Sequence, residues 1–294
     1  MLKINSTLLK NICNINSPSH DEQSMISFII NYCYNVGGIF FEIDSKNNIF
    51  ITKNTTNPES YPCLVAHMDE VHKHKNNREV LIKNGYIWSR YISSKTQCGI
   101  GADDKFGIYV ALHLLNELSD LKICFTTAEE MGGIGAEEAS LNIEFFENIR
   151  YLIQADRRGN SDIITWTNGL SITSSEFLED ISDLLQKYNY KEESGTFTDV
   201  GILKENINVS AINVSCGYYR EHTSKEYGKL SELQTCLNLI YEIINTTHKV
   251  YTHVSALDYD KLNSYHTYIA YPCNTCTNNN CMNCDIFHSF EQDW

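Results

Sequence analysis

Four short apolar runs in this chain each lead, at their carboxyl ends, into side chains that bind cations or move protons. CLVA (63–66) runs into His67-Met68-Asp69, and KICF (122–125) runs through Thr126, Thr127 and Ala128 into the adjacent pair Glu129-Glu130. YLI (151–153) leads to Asp156, and SAINV (210–214) leads on through CGYYRE to His222, while Asp103 stands apart in GIGADDKFG. Any one of these positions, taken alone, is more simply a solvated turn or a helix cap. Together, two histidines and several carboxylates make the mixed nitrogen and oxygen donor set that suits zinc or a similar divalent ion. In an extended strand residues i and i+2 face the same way, so Asp69 lies on the side of His67 and can hold its second ring nitrogen. Neighbouring residues leaving a strand point to different sides, so one of Glu129 and Glu130 can ligate a metal while the other reaches over the water it activates. Gly132, Gly133 and Gly135 then let the backbone turn tightly beside a substrate.

Residues so far apart in sequence meet only if the fold collects the strand ends. Met25, Phe28, Ile29 and Tyr32 predict a first helix, stopped by Gly37-Gly38. GIFFEID and NIFITK predict a hairpin turning at 46–48, and Asn84-Gly85 between VLIK and YIWSR predicts another. Helical spacing returns at Phe106, Val110, Leu114 and Leu118, at Leu178, Ile181, Leu185 and Tyr188, and at Leu230, Leu233, Leu237, Ile240 and Ile244. Strands alternating with helices predict an α/β sandwich with a central, largely parallel mixed sheet flanked by helices. In such sheets the carboxyl ends of the strands form the binding crevice, which is where the candidate residues fall. The pattern holds to about residue 253, so 1–253 is expected to be the catalytic domain and 254–294 a Cys-rich tail.

Composition removes other classes of function. A chain of 294 residues, 42% of them hydrophobic, can bury a full core. Its 37 acidic and 23 basic side chains leave a formal charge of −14 with no basic cluster, which opposes binding to nucleic acid or an anionic membrane. No segment approaches the roughly 20 apolar residues of a membrane span, and the N-terminus lacks the apolar core of a signal peptide, so a cytoplasmic protein is expected. Seven of the 11 cysteines stand singly in apolar contexts and read as reduced core residues. The other four, Cys273, Cys276, Cys281 and Cys284, form two close pairs, with His288 beyond them. They are expected either to hold one structural zinc ion or to belong to an unstructured thiol-rich tail.

HMDE, GADDKFG, TAEEMGGIGA, an Asp after a strand, and YREHTSKE, in that order, resemble the motifs of the co-catalytic di-zinc peptidase superfamily. That superfamily includes peptidase T, the glutamate carboxypeptidase-like enzymes, the tetrahedral aminopeptidases and the single-domain leucine aminopeptidases. The resemblance runs from about residue 17 to residue 248 and implies a zinc-exopeptidase-like sandwich. It implies that His67 and Asp156 ligate one Zn2+, Glu130 and His222 a second, and Asp103 bridges them, with Co2+ or Mn2+ as alternative ions. Asp69 would orient His67, and Glu129 would be the general base acting with a hydroxide bridging the metals. Asp104 would be a helix-opening acid placed by the macrodipole; Asp199 in SGTFTDVG resembles a recurrent Asp near such sites but is read as a helix N-cap. Many relatives insert a lid or dimerisation domain in one of two gaps, but here His67 to Asp103 is 36 positions and Asp156 to His222 is 66, so no lid is expected.

The activity implied is a zinc-dependent metallopeptidase acting on short peptides as an aminopeptidase or a di- or tripeptidase, with a free α-amino group required. Arg157, Arg158 and Arg220 are candidate clamps for a substrate carboxylate, or else surface arginines paired with the surplus acids. An N-acyl-amino-acid deacylase uses the same metal core, and a non-catalytic metal-binding interaction module is the remaining alternative. Glu129 argues against the last, because metal binding alone needs no base.

Overall fold

The structure is a computed structural model and describes residues 1–73 and 77–256; the four tail cysteines and His288, with the zinc site expected of them, lie outside the described residues. The strands are β1 (Ile39–Ile43), β2 (Ile49–Asn54), β3 (Tyr61–His67), β4 (Arg78–Lys83), β5 (Tyr86–Tyr91), β6 (Gln97–Cys98) and β7 (Asp120–Thr126). They continue with β8 (Ile149–Arg157), β9 (Asp162–Thr167), β10 (Leu170–Ser171), β11 (Lys191–Gly195), β12 (Ala211–Ser215), β13 (Tyr218–Tyr219) and β14 (Tyr227–Lys229). The helices are α1 (Ser6–Asn14), α2 (Gln23–Cys33), α3 (Ala102–Glu117), α4 (Ile134–Ala139), α5 (Ile143–Phe146), α6 (Ser175–Tyr188), α7 (Asp199–Leu203) and α8 (Leu230–Thr246).

The four apolar runs are β3, β7, β8 and β12, and they lie side by side in the order β7-β3-β8-β12, all parallel. β2 and β1 extend one edge of this sheet antiparallel, and β9 with β10 extends the other, while β11 runs parallel to β9. The sheet is thus mixed and largely parallel, as the alternation of runs and helices predicts. Because side chains alternate along a strand, each central strand serves two cores. Leu64 and Ala66, Ile123 and Phe125, and Ile212 and Val214 face the core that α1, α2, α3, α6 and α8 cover. Cys63 and Val65, Cys124, Leu152 and Ala211 face the opposite core with Phe145 and Phe146 of α5 and Val200 and Leu203 of α7. Helix α3 is buried on nearly every side, consistent with apolar side chains all round its axis.

A second, antiparallel sheet joins β4, β5, β6, β13 and β14. The Asn84-Gly85 turn closes its β4-β5 hairpin with Lys83 opposite Tyr86. This sheet occupies part of the gap between His67 and Asp103, and no inserted lid is present among the described residues.

Four features differ from the sequence reading. Helix α1 was not expected, since its short polar sequence shows only Leu8, Leu9, Ile12 and Cys13 as a buried stripe; the Asn5 side chain caps it, accepting from the Leu8 amide at 3.0 Å. β11 (KEESG) carries almost no apolar signal because it lies outside the central four strands. β8 runs on past YLI, so Asp156 lies within the strand and not beyond it. β12 ends at Ser215, and the chain crosses to the second sheet before it reaches His222. All seven cysteines among the described residues are buried and unpaired.

The turn after β7 depends on close backbone approach. Gly135 donates to the Thr127 carbonyl at 3.0 Å, and a Cβ there would collide with the Thr127 main chain, which cannot move aside. Gly135→Ala should therefore lower unfolding stability by about 1–3 kcal/mol, the range for overpacking. Denaturant unfolding measures this, and an unchanged midpoint would show that the turn has slack.

Candidate metal centre

The centre is assembled at the carboxyl edge of the parallel strands and completed from the second sheet. His67 ends β3, directly opposite Thr126 of β7 in the register, and Asp156 sits one residue from the end of β8. Glu129 and Glu130 follow β7 across Ala128, whose left-handed backbone (φ 50°) turns the chain back over the strand ends. His222 comes from the loop between β13 and β14. Asp103 enters from the non-helical first turn of α3, just after β6.

The structure brings these six together. Asp103 lies between the histidines, with Oδ1 3.0 Å from His67 Nε2 and Oδ2 3.2 Å from His222 Nε2. His67 Nε2 is also 3.8 Å from Asp156 Oδ1 and 3.9 Å from Glu129 Oε2. Glu130 Oε1 is buried and stands 2.9 Å from His222 Nε2. Donor atoms of His67, Glu129 and Asp156 lie within 4.8 Å of one another, as do those of His67, Asp103 and Glu130. A tetrahedral ion with bonds of about 2.0–2.2 Å spaces its donors roughly 3.3–3.6 Å apart, the same scale as these contacts. The donor set and its spacing fit divalent cations.

Asp69 stands behind His67, with Oδ1 3.3 Å and its main-chain oxygen 3.1 Å from Nδ1. It also does what spacing alone could not reveal. Its carboxylate accepts the backbone amides of Glu129 (2.9 Å) and Glu130 (3.3 Å) and the Ser19 hydroxyl (2.7 Å), so one side chain holds both His67 and the glutamate turn.

Electrostatics follow from burying so many acids together. Burial, with Asp199, Asp103 and Glu130 nearby and against the pull of His67, pushes Glu129 up to about 8. Burial and the neighbouring Asp103 and Asp104 likewise raise Asp156 well above the usual carboxylate range. Asp103 goes the other way: burial opposes its charge, but hydrogen bonds from His222 and His67 hold it low. His222 is pushed up to about 10 by Asp103 and then Glu130. Burial works against the His67 cation, yet Glu129, Asp103 and Asp69 outweigh it and raise that ring well above its ordinary value.

Two acids differ from their expected roles. Asp104 is more than a helix-opening acid, because its backbone is not helical and its side chain is fully buried. Its Oδ2 accepts the His67 amide at 3.1 Å and its Oδ1 accepts the Gly107 amide at 3.0 Å, tying the start of α3 to the end of β3. Asp199 is not a helix N-cap. Thr198 holds that position, while Asp199 is buried, takes the Thr126 hydroxyl at 2.5 Å and is pushed up to about 6, first by burial.

Further supports carried no distinct signal of their own in the sequence. Tyr218 donates to Asp156 Oδ1 at 3.2 Å and Gln154 Nε2 to Oδ2 at 3.1 Å. Glu70, buried beneath the centre, pairs with Lys105 at 2.7 Å and Arg78 at 3.1 Å. Glu226 accepts amides along the Asp103 segment. Glu70, Lys105 and Glu226 lie inside the HMDE, DDK and HTSKE motifs, and a charge embedded in a motif beside a ligand was the only available clue.

No protein-family model and no curated protein matches this sequence. Solved structures match in fold. One is a tripeptidase from Staphylococcus aureus subsp. aureus Mu50, with 15% identity and a TM-score of 0.66, the match covering 81% of this chain and 96% of that one. Another is aminopeptidase PepT from Bacillus cereus, with 14% identity and a TM-score of 0.67 over 82% of this chain and 97% of that one. A third is an aminopeptidase from the archaeon Desulfurococcus kamchatkensis, with 16% identity and a TM-score of 0.64 over 82% and 94%. The chain has the exopeptidase fold. The likeness read from the five motifs is borne out at the level of fold.

Within this exopeptidase fold a cleft of about 360 Å³ opens over the centre. Arg157 and Arg158 line it, with Ile164, Phe197 and Tyr218, whereas Arg220 is not among the described residues lining it. Arg158 pairs with Glu221 at 2.9 Å; Arg157 has a longer contact, 3.9 Å, with Asp162.

The two raised histidines set a pH dependence. The acids around them raise the proton affinity of both rings in the metal-free chain, and a metal ligand must be the neutral ring, so loading releases protons. Titration of the metal-free chain with Zn2+ or Co2+ in weak buffer should acidify the solution, and apparent affinity should fall as pH drops from about 8 to about 6. Affinity independent of pH would show that neither ring gives up a proton.

Proposed function

We propose that the chain is a metal-dependent exopeptidase that hydrolyses short peptides as an aminopeptidase or a di- or tripeptidase. The observation that carries this reading is the Asp103 carboxylate set with one oxygen against each histidine, with Glu129 alongside. The exopeptidase fold supports it, since the similar structures include a tripeptidase and aminopeptidases.

Two zinc ions, or cobalt or manganese in their place, would supply Lewis acidity toward the scissile carbonyl and a water acidic enough to lose a proton near neutral pH. His67 and Asp156 would hold one, Glu130 and His222 the other, and Asp103 would serve both. Glu129 would accept a proton from the attacking water and return it to the leaving amine nitrogen as the C–N bond breaks. Its raised proton affinity is a property of the metal-free chain, and bound cations reverse that preference. Asp69 keeps His67 in one orientation and holds the Glu129 amide, so ligand and base keep their spacing. Of the three arginines, Arg157 is the best placed to meet a substrate carboxylate: it lines the cleft, and its ion pair is the looser one.

The division of labour between the glutamates tests the mechanism. Glu129→Gln keeps shape but cannot take the proton, so it should retain metal near the wild-type level while kcat/KM falls by about 100-fold or more. Glu130→Gln replaces an anionic ligand with a neutral amide, so it should lose metal, with activity partly restored by excess Zn2+ or Co2+. Metal analysis beside kinetics separates the two; equal metal loss, or near-normal turnover by Glu129→Gln, would overturn these assignments.

The substrate is tested separately. If a free α-amino group is required, acetylating the N-terminus of a good di- or tripeptide should cut kcat/KM at least about tenfold, or about 1.4 kcal/mol. Faster cleavage of the acetylated compound would replace the peptidase reading with a deacylase acting on the same centre.

A further inference from the structure

His222 is the most exposed of the proposed ligands, and packing does little to hold it. Its side chain is 48% exposed, and both it and Arg220 have left-handed backbones (φ 62° and 58°). The loop that carries it, between β13 and β14, ends in Glu226, which is fully buried. Glu226 Oε2 accepts the amides of Ile100 (3.0 Å) and Gly101 (2.8 Å) and faces His72 Nε2 at 2.8 Å. Its Oε1 accepts the amides of Ala102 (2.7 Å) and Asp103 (3.3 Å).

One carboxylate thus takes four successive main-chain N–H groups, close to the number of acceptor sites it offers. Hydrogen bonds to an ionised acceptor are about twice as strong as neutral ones, and this set compensates a charge that would otherwise be costly to bury. The last amide belongs to Asp103, the residue whose two oxygens reach both histidines. The second sheet therefore delivers two parts of the centre, the Asp103 segment after β6 and the His222 loop before β14, and Glu226 fastens one to the other. His67 and Asp156 need no such link, because strands of the main sheet hold them.

We propose that Glu226 is the positioning residue of the second cation position, fixing the 100–103 backbone to the 220–226 loop so that Asp103 and His222 stand at the separation a shared ion requires. This rests on the two-ion reading above. It predicts an asymmetry: Asp103 serves both positions, but the one built on His67 and Asp156 keeps two strand-held ligands and is weakened less by loss of Glu226 than the one built on Glu130 and His222. A residue that only supported the fold would lower thermal stability without separating the two affinities.

The test is titration of the metal-free full chain with Co2+, followed by visible absorption and calorimetry. Wild type should take up two ions. Glu226→Gln, whose amide nitrogen would face two of the N–H groups it must accept, should bind the tighter ion within about threefold of wild type and the weaker one about 10–100-fold less well. Glu226→Asp keeps the charge but is one methylene shorter, and it is read in the same way if the glutamine variant does not fold. In wild type, hydrogen exchange at the amides of residues 100–103 should slow further on binding the second equivalent, a measurement that needs no variant. Equal weakening of both ions, no weakening of either, or exchange at 100–103 indifferent to the second equivalent would overturn the role of Glu226 while leaving the two-ion centre standing. A wild-type chain that takes up no second ion would overturn both.

Discussion

Buried like charge governs this protein. Asp103, Glu129, Glu130 and Asp156, all largely buried, converge on buried His67 and half-exposed His222, with Asp69, Asp104 and Asp199 close behind. Carboxylates so placed repel one another, and this repulsion together with burial raises the proton affinity of Glu129 and Asp156, while the acids raise that of both rings. Divalent cations would relieve the repulsion more completely, because each supplies charge without a proton. The parallel strands make the crowding possible: β7, β3 and β8 end along one edge, so residues distant in sequence arrive at neighbouring points.

Such a centre keeps its geometry only if its surroundings are satisfied as well. Beneath it lies a second set of buried charges that bind no substrate. Glu70 pairs with Lys105 and Arg78, and Arg78 donates in turn to the carbonyls of Cys13, Ile15 and Gly99. Removing one partner would leave another buried and uncompensated, so the set stands or falls together. It joins the end of α1 to the HMDE segment and to the start of α3. Asp104, with one oxygen on the His67 amide and the other on Gly107, adds a further link between β3 and α3.

The second sheet takes part of the gap between His67 and Asp103 and the stretch around His222. Its short strands reach the centre from the side, placing Tyr218 against Asp156 and the His222 loop beside Glu130. Walls of the cleft come from Ile164 of β9, Phe197 of the segment before α7, and Arg157 and Arg158 at and just past the end of β8. A compact cleft of this kind suits small substrates, in keeping with the proposed action on short peptides.

Much of this was legible in the sequence because it rests on local pattern. The runs CLVA, KICF, YLI and SAINV are apolar on both faces apart from Lys122, Ser210 and Asn213, as a strand buried between two layers requires, and they became the four central parallel strands. The candidate ligands were legible because each follows such a run or opens a helix. Polar elements were not: β11 carries charges because it lies outside the central strands, and α1 shows only a narrow buried stripe. Nor were roles that depend on which backbone lies opposite a side chain. Nothing local distinguishes Glu226 from a solvated acid until four amides from residues 100–103 surround it, and nothing marks Asp199 as buried until β7 lies against α7. Sequence determined the strands and the chemistry at their ends, since apolar periodicity and residue type are properties of a segment. Tertiary structure alone decided how those ends are held, since a carboxylate's partners are set by contacts between segments far apart in the chain.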